Sequence, residues 1–598
     1  MFAIARALLA TTLVATATVA FASTTAPSAP AGREWVERSN ANAAPLLQLI
    51  ASYAPESAAA LGVDGFDAEV LDLKAGIDER FKVDAARVIA DYQARLAVEQ
   101  DPRVRQDLQL LIDSTQREQD SADLQRRLML PHFDLAKRLF HGFNSLLDPR
   151  VAKERYPAAL VRLAKYTGRE PGYEPIATLA RARSAERFGD LALTGPWSVE
   201  VEQDLANQSR YMQGIRELFQ KSGLTGWEGD LKLLESQLDD YAQWVRAEIL
   251  PRARTTNRLP PEIYADNLTN FGVQADPRAL IDQATLSFVQ TREEMQALAT
   301  LVAKERKLPS SDYRDVLKHL KQEAIANDAL IPTYNARLAA LEDVIRAQQI
   351  VTLPERAAVI RLGTAAESAA QPAPHIKPPR LIGNTGEPAE FVLPLENPNA
   401  RPGAKMDDFT FDAITWTLTA HEARPGHELQ FSRMMENGVS IPRAVFAFNS
   451  ANVEGWALYA EALVKQHLPL EGQMGTLQMR MMREARAFLD PMVNLGLIEP
   501  AAVQAFLMKE IGLSEPMAKQ EVDRYTFRMP GQATSYFYGY QRHLALRGKV
   551  ELALGDQFDA HAYHDFVLDQ GLLPPGLLEQ AVMERYVAPR LQQAKVAQ

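Results

Sequence analysis

The sequence of 598 residues contains no cysteine. This absence excludes disulfide bonds, thiolate metal ligands, cysteine nucleophiles and a lipid-modified cysteine within these residues. Histidine and carboxylate side chains are therefore the ligands left for a metal ion. A chain without disulfides tolerates an oxidising compartment but does not require one.

Positive charge is in deficit, because 65 Lys and Arg residues face 76 Asp and Glu residues and the formal net charge is −11. A protein with this balance is not expected to bind nucleic acid or an anionic membrane surface. Hydrophobic residues make up 46% of the chain, which is enough for a large core.

The N-terminus carries a short apolar stretch over residues 7–21 after Arg6. It is shorter than the roughly 20 residues that a membrane-spanning helix needs. The small residues Ala20 and Ala22 then predict a cleavage site, so we expect a secretory signal peptide over residues 1–22 and a flexible linker over residues 23–33. The expected location is periplasmic or secreted, with no stable membrane insertion after cleavage.

The remaining sequence favours a mainly α-helical fold. Apolar residues recur with the 3.6-residue period, and Pro and Gly clusters divide the pattern into helices of ordinary length. We predict a helical N-terminal part over residues 34–365 and a metal-site catalytic part over residues 366–598. We expect the two parts to form one continuous fold with a substrate cleft. A few short strands are expected just before the metal-site helix.

One such strand is predicted at residues 390–395, where the composition becomes rich in proline. Pro394 would confine it to a sheet edge or to an isolated strand. An edge with unpaired backbone groups could bind a peptide substrate. The alternative is an ordinary connector that packs over the core.

Two motifs carry the chemistry: TAHEARPGHELQ at residues 419–430 and EGWALYAE at residues 454–461. His421, His427 and Glu454 offer three ligand atoms for Zn²⁺, and Glu422 is placed to act as general base on a metal-bound water. An isolated His-Glu pair on a helix is usually an ordinary solvated or core pair. The second motif favours the metal site.

The spacing of the two histidines is unusual, since six positions separate them instead of the four of His-Glu-x-x-His. In an unbroken helix they would lie on different faces. Pro425 and Gly426 fall between them and can end or kink the helix, which would return His427 to the side of His421. Glu461 shares a helix face with Glu454, and it is either a carboxylate that orients a ligand imidazole or part of a solvated surface.

A third block, residues 521–540, is rich in tyrosine and contains Arg524. Hydrolysis of a peptide bond needs a donor for the oxyanion that develops. We predict Tyr536 for this role and Arg524 for a substrate carboxylate or for structural pairing. The alternative is that the aromatic cluster belongs to the core.

The motifs at residues 419–430 and 454–461, with the pattern RYxxxxPGQAxxY that starts at Arg524, resemble the bacterial family known as domain of unknown function 885. That family is grouped with zinc peptidases whose third ligand is a glutamate, such as carboxypeptidase Taq and angiotensin-converting enzyme. The resemblance implies a mostly helical fold, with His421, His427 and Glu454 as ligands and Glu422 as base.

The sequence departs from the commoner family pattern at two points. A single histidine precedes Glu428 where many relatives carry two, and Asn494 stands where many carry a histidine. If that histidine contacts substrate, the specificity of this protein differs, whereas its metal site need not.

These observations predict a secreted zinc metallopeptidase that hydrolyses peptides or oligopeptides. One alternative is the same site acting on a non-peptide amide. Another is a periplasmic binding or chaperone-like protein that has lost turnover, against which the intact Glu422 argues. Endo- or exopeptidase action, residue preference and oligomeric state stay open.

Overall fold

The computed structural model describes residues 34–148, 151–364, 367, 368, 371, 373–384, 386–394 and 403–597. The predicted signal peptide and linker lie outside them. The chain divides into two compact units, each described here by itself. The first comprises Met1–Ile263, Arg380–Glu387 and Ser440–Phe446, and the second comprises Tyr264–Pro379, Pro388–Val439 and Ala447–Gln598.

The first unit is built from helices whose ends follow local rules. The side chains of Asp101 and Asp134 accept backbone N–H groups at two N-termini, and Gly168 ends a helix in the left-handed conformation. The helices are α1 Glu34–Tyr53, α2 Pro55–Leu61, α3 Ile77–Val98, α4 Pro102–Leu128, α5 Leu135–Leu147, α6 Ala158–Thr167, α7 Ile176–Ala185, α8 Ser198–Ser222 and α9 Glu228–Trp244.

Helix α10, Pro261–Asn270, continues the chain into the second unit, which is also helical. Wide π-helical turns extend several of its helices: Thr419–Ala423 follows the helix that ends at Leu418, and Arg524–Arg528 follows the helix that ends at Asp523. The helices are α11 Pro277–Arg306, α12 Tyr313–Leu320, α13 Asn327–Ala347, α14 Asp412–Leu418, α15 His427–Asn437, α16 Ser450–Val464, α17 Leu470–Asn494, α18 Pro500–Phe506, α19 Glu515–Asp523, α20 Thr534–Leu554, α21 Ala560–Leu568, α22 Pro575–Val582 and α23 Ala588–Ala597.

These helices confirm the prediction of a mainly α fold with a few short strands. The strands are β1 Val359–Leu362, β2 His375–Lys377 and β3 Glu390–Leu393. Within the described part of the chain, no helix combines the length and the hydropathy that crossing a membrane requires.

The prediction that the strand before Pro394 lies at a sheet edge is wrong. The strand order is β1-β3-β2, so β3 is central, parallel to β1 and antiparallel to β2. Pro394 follows the last residue of β3, where no ladder hydrogen bond needs its missing N–H, and the carbonyl of Leu393 still accepts from the Gly363 N–H at 2.9 Å. Both edges of β3 are occupied, so β3 is not available to pair with a substrate.

Helices α16 and α20 approach each other more closely than side chains would allow. A Cβ atom at Gly539 would lie 1.9 Å from the carbonyl oxygen of Ala451, and one at Gly455 would lie 2.5 Å from the carbonyl carbon of Gly539. Glycine is therefore required on both helices. This contact brings the first turn of α20, which carries Tyr536, beside the first turns of α16, which carry Glu454.

Candidate metal centre

Three predicted ligands converge in the second unit. His421 lies on the wide turn after α14, His427 is the first residue of α15, and Glu454 lies on α16. Glu454 Oε2 is 3.4 Å from His421 Nε2 and 3.3 Å from His427 Nε2. One ligand atom from each residue lies within 4.8 Å of the other two. The structure therefore places three potential ligands around one point.

These distances fit a tetrahedral metal ion. Ligand atoms at about 2.0–2.1 Å from zinc are roughly 3.4 Å apart in a tetrahedron, which matches both histidine–glutamate separations. Glu454 Oε2 is buried and accepts no hydrogen bond from the described residues. Leaving a buried carboxylate oxygen without a donor is costly, and a cation bound here would remove that cost.

The helix is interrupted between the two histidines, at the position that Pro425 and Gly426 predict. Helix α14 ends before the wide turn, and α15 begins at His427. A Cβ atom at position 426 would lie 1.9 Å from the carbonyl oxygen of His421, so glycine alone fits there. Trp456 Nε1 donates to the Pro425 carbonyl at 3.0 Å and holds the turn against α16.

Glu461 contacts the imidazole of His421, a candidate ligand, and this contact is one of the two roles predicted for it. Its Oε1 lies 2.6 Å from His421 Nδ1, and its Oε2 accepts from the Thr417 hydroxyl at 2.8 Å. With Nδ1 held in this way, His421 presents Nε2 towards Glu454. Burial by itself would raise the pKa of Glu461, but the Arg483 charge and His421 lower it, so Glu461 stays ionised.

Glu422 lies on the same wide turn as His421 and is only 6% exposed. Its Oε2 has no hydrogen-bond partner among the described residues. Burial raises the pKa of the Glu422 carboxyl, and the two neighbouring imidazoles counteract part of that rise. A carboxylate with a raised pKa is a stronger base than an exposed one, which suits the predicted role.

Tyr536 lies on the side of α20 that faces the candidate ligand His421. Its ring is parallel to the imidazole of His421, with centroids 6.4 Å apart and an interplanar angle of 11°. Burial, followed by the charge of Glu454, raises the pKa of Tyr536, so its hydroxyl remains a hydrogen-bond donor. The Arg486 guanidinium lies 4.5 Å from the centroid of this ring.

Arg524 makes no direct hydrogen bond to a candidate metal ligand in the described structure. It belongs instead to a cluster of charged residues next to Tyr536, formed with Glu521 and Arg486. Its Nη2 is 3.7 Å from Glu521 Oε1. Glu521 also accepts from Arg486 at 2.7 and 2.8 Å and from the Tyr525 hydroxyl at 2.8 Å. The structural pairing predicted as one role of Arg524 is therefore present, and its Nη1 has no partner among the described residues.

Asn494 is part of a separate hydrogen-bond network. Its amide donates to the Asp490 carboxylate and to the Tyr525 carbonyl, both at 3.0 Å. Asp490 in turn accepts from the Gly531 N–H at 2.9 and 3.0 Å. Asn494 thus orders the turn that precedes α20, and none of its described hydrogen bonds reaches a candidate metal ligand.

Arg483 is a site residue that the sequence analysis missed. Its Nη2 lies 3.3 Å from Glu461 Oε1, the oxygen that also contacts His421. The available signal was the three-residue spacing of Arg480, Arg483 and Arg486, which places three arginines on one side of α17.

The fold is similar to two solved structures of other proteins. One is a protein from Colwellia psychrerythraea described as a putative lipoprotein, with a TM-score of 0.73, 17% identity, and coverage of 91% of this chain and 98% of that one. The other, from Shewanella oneidensis, is described as a putative lipoprotein of unknown function, with a TM-score of 0.69, 19% identity, and coverage of 92% and 100%.

No curated protein matches the chain at a significant level. A family model described as "Bacterial protein of unknown function (DUF885)" matches residues 55–582, which include the first ligand motif, the second motif and the tyrosine-rich block. The chain therefore belongs to the bacterial DUF885 family.

Proposed function

We propose that the protein is a zinc-dependent metallopeptidase. The observation that carries this proposal is the position of Glu454 Oε2, at 3.3–3.4 Å from the Nε2 atoms of His421 and His427, beside the buried carboxylate of Glu422. A bound zinc ion supplies a Lewis acid that polarises the scissile carbonyl and lowers the pKa of water.

The residues of the site divide the remaining work. His421, His427 and Glu454 hold the ion, and Glu461 keeps His421 in the tautomer that presents Nε2. Glu422 accepts a proton from the attacking water and passes it to the leaving amine. The Tyr536 hydroxyl donates a hydrogen bond to the oxygen that gains negative charge and keeps its proton.

We also propose that the protein acts outside the cytoplasm. The N-terminal pattern of a signal peptide supports this, as do the descriptions of the two structural relatives as putative lipoproteins. N-terminal sequencing of the protein from fractionated cells should then give a mature chain that begins near Ser23. An uncleaved chain in the cytoplasmic fraction would contradict it.

A peptide-library digest read by mass spectrometry, with and without a chelator, tests the activity. We expect new termini that disappear with chelator and return with added zinc. Hydrolysis of non-peptide amides alone would move the assignment to another amide substrate. Metal binding without hydrolysis of either class would favour the non-catalytic binding protein.

Glu422→Gln tests the chemistry within that assay. The variant keeps the size of the side chain and removes the base, so turnover should fall by roughly two to four orders of magnitude while zinc is retained. Glu428→Gln is the matched control, because Glu428 follows the other histidine, His427, in the sequence. Its carboxylate already accepts hydrogen bonds from Arg424 and Ser432, both at 2.6 Å, so it has no role as the base. Near-normal turnover in Glu422→Gln would rule out the base role.

A further inference from the structure

Two buried arginines share one carboxylate behind Tyr536. Arg486 makes a bidentate pair with Glu521, using both carboxylate oxygens. Arg524 reaches the same carboxylate only at 3.7 Å. Helix α19 carries two further acidic residues: Asp523 is paired with Lys519 at 2.7 and 2.9 Å, and Glu515 lies in the first turn, at the opposite end of the helix from Arg524. Two guanidinium groups therefore face one available carboxylate, which leaves a local excess of positive charge.

Arg524 carries this excess. The residue is 5% exposed, and its buried Nη1 has no hydrogen-bond partner in the described part of the chain. Buried charged donors are almost always paired, because an unpaired one loses its hydration without compensation. An anion from outside the chain would supply the missing partner.

The unpaired group lies on the side of the metal ligands where Tyr536 is found. Arg486 links the two, since it contacts Glu521 on one side and lies 4.5 Å from the Tyr536 ring centroid on the other. Arg524 and Arg486 meet at the Glu521 carboxylate, so Arg524 belongs to the same group of charged residues as the arginine that contacts the Tyr536 ring.

Arg483 provides an internal comparison. It also has buried guanidinium nitrogens without a partner among the described residues. Its charge, however, is matched by the single carboxylate of Glu461, 3.3 Å away. The charge excess is therefore specific to the Arg524 side of the site.

We propose that Arg524 binds a carboxylate of the substrate and so selects peptides that carry one near the scissile bond. This inference rests on the proposed peptidase function. A planar guanidinium binds a carboxylate through two parallel hydrogen bonds, a geometry that fits a partly used arginine. A peptide offers a carboxylate at its C-terminus or on an Asp or Glu side chain, and a C-terminal source would make the enzyme an exopeptidase.

Three matched peptides distinguish these sources on the wild-type protein: a free acid with internal Gln, the corresponding C-terminal amide, and the amide with Gln replaced by Glu. A charge-assisted hydrogen bond corresponds to about a ten- to hundred-fold difference in kcat/KM. Preference for the free acid indicates the C-terminus, and preference for the Glu peptide indicates a side chain. Equal rates for all three would overturn the proposal.

Arg524→Gln should reduce the preference for the carboxylate-bearing peptide to near one, and Arg524→Lys should restore part of it because the charge is kept. A purely structural role would slow all peptides by the same factor and leave the ratio unchanged. An unchanged ratio in Arg524→Gln would therefore contradict the proposal.

Binding of the dipeptide Ala-Ala, compared with its C-terminal amide, gives a readout that needs no turnover. By calorimetry, Ala-Ala should bind at least ten-fold more tightly to the wild-type protein, and Arg524→Gln should abolish the difference. If no peptide is hydrolysed but this difference is found, the peptidase function fails while the carboxylate site stands. If peptides are hydrolysed without any carboxylate dependence in either assay, the carboxylate site fails alone.

Discussion

The second unit contains two pairs of buried histidines that differ in what surrounds them. His421 and His427 face the Glu454 carboxylate, and His421 also contacts Glu461. The second pair, His543 and His564, is as deeply buried. His564 meets only uncharged groups in its described hydrogen bonds, and the His543 ring stacks on Tyr459.

The difference shows in the pKa values of His421, His543 and His564. Burial lowers the pKa of both His543 and His564 to about 4, so these imidazoles are neutral core groups. Burial would also lower the pKa of His421, but Glu454 and Glu461 raise it to about 9. The neighbouring carboxylates, and not burial, distinguish His421 from a core histidine.

One tryptophan separates the two environments. Trp456 Nε1 donates to the Pro425 carbonyl, on the side of His421 and His427. The same ring packs edge-on against His543 and His564, with centroids 6.0 and 6.2 Å away. The two pairs are therefore neighbours in one core, which makes the second pair a matched control for the first.

The largest expected difference concerns metal affinity. His427→Ala removes a proposed ligand. Zinc affinity should therefore fall by more than the roughly 10–100-fold that is lost when a residue hydrogen-bonded to a ligand is removed. His564→Ala should leave affinity within a few-fold, although it also removes a buried imidazole. Competition with a chromophoric chelator measures both. Equal losses in the two variants would erase the distinction between the pairs.

A smaller effect is expected for the partners of the histidines. Glu461→Gln weakens the hold on His421 and should lower zinc affinity by roughly 10–100-fold. Tyr459→Phe removes the hydroxyl that lies 2.8 Å from His564 Nε2 and should leave zinc affinity unchanged. The same chelator competition applies. If Tyr459→Phe lost as much zinc affinity as Glu461→Gln, the surroundings of His564 would affect the metal site as strongly as those of His421.

The smallest effect concerns the pH dependence of stability. The folded pKa of His564 is about 4, below its unfolded value of about 6.5, so the unfolded chain binds more protons between these values. The contribution of His564 to the free energy of unfolding is fully present above pH 6.5. It is lost as pH falls towards 4, by roughly 3 kcal/mol at most. Denaturant unfolding should show a smaller loss between pH 7 and 4.5 in His564→Gln. Identical losses in wild type and variant would contradict this assignment.

Much of the fold and part of the site were predictable from local sequence. The 3.6-residue period and the Pro and Gly positions indicated helices, because helix formation and termination depend on nearby residues. The break at Pro425 and Gly426 was predictable for the same reason. The position of β3 was predicted wrongly, since Pro394 limits the residue after the strand and does not decide how many neighbours the strand has.

The sequence by itself determined which side chains could hold a metal. They are two histidines on either side of a helix interruption at Pro425 and Gly426, and a glutamate on a later helix. Tertiary structure decided the rest. The close approach of α20 to α16 at Gly539 and Gly455 places Tyr536 beside His421. The packing of α17 against α19 pairs Arg486 with Glu521 and leaves Arg524 with one nitrogen that has no partner among the described residues. These contacts join segments far apart in the chain, so they depend on packing in three dimensions and not on local backbone preference.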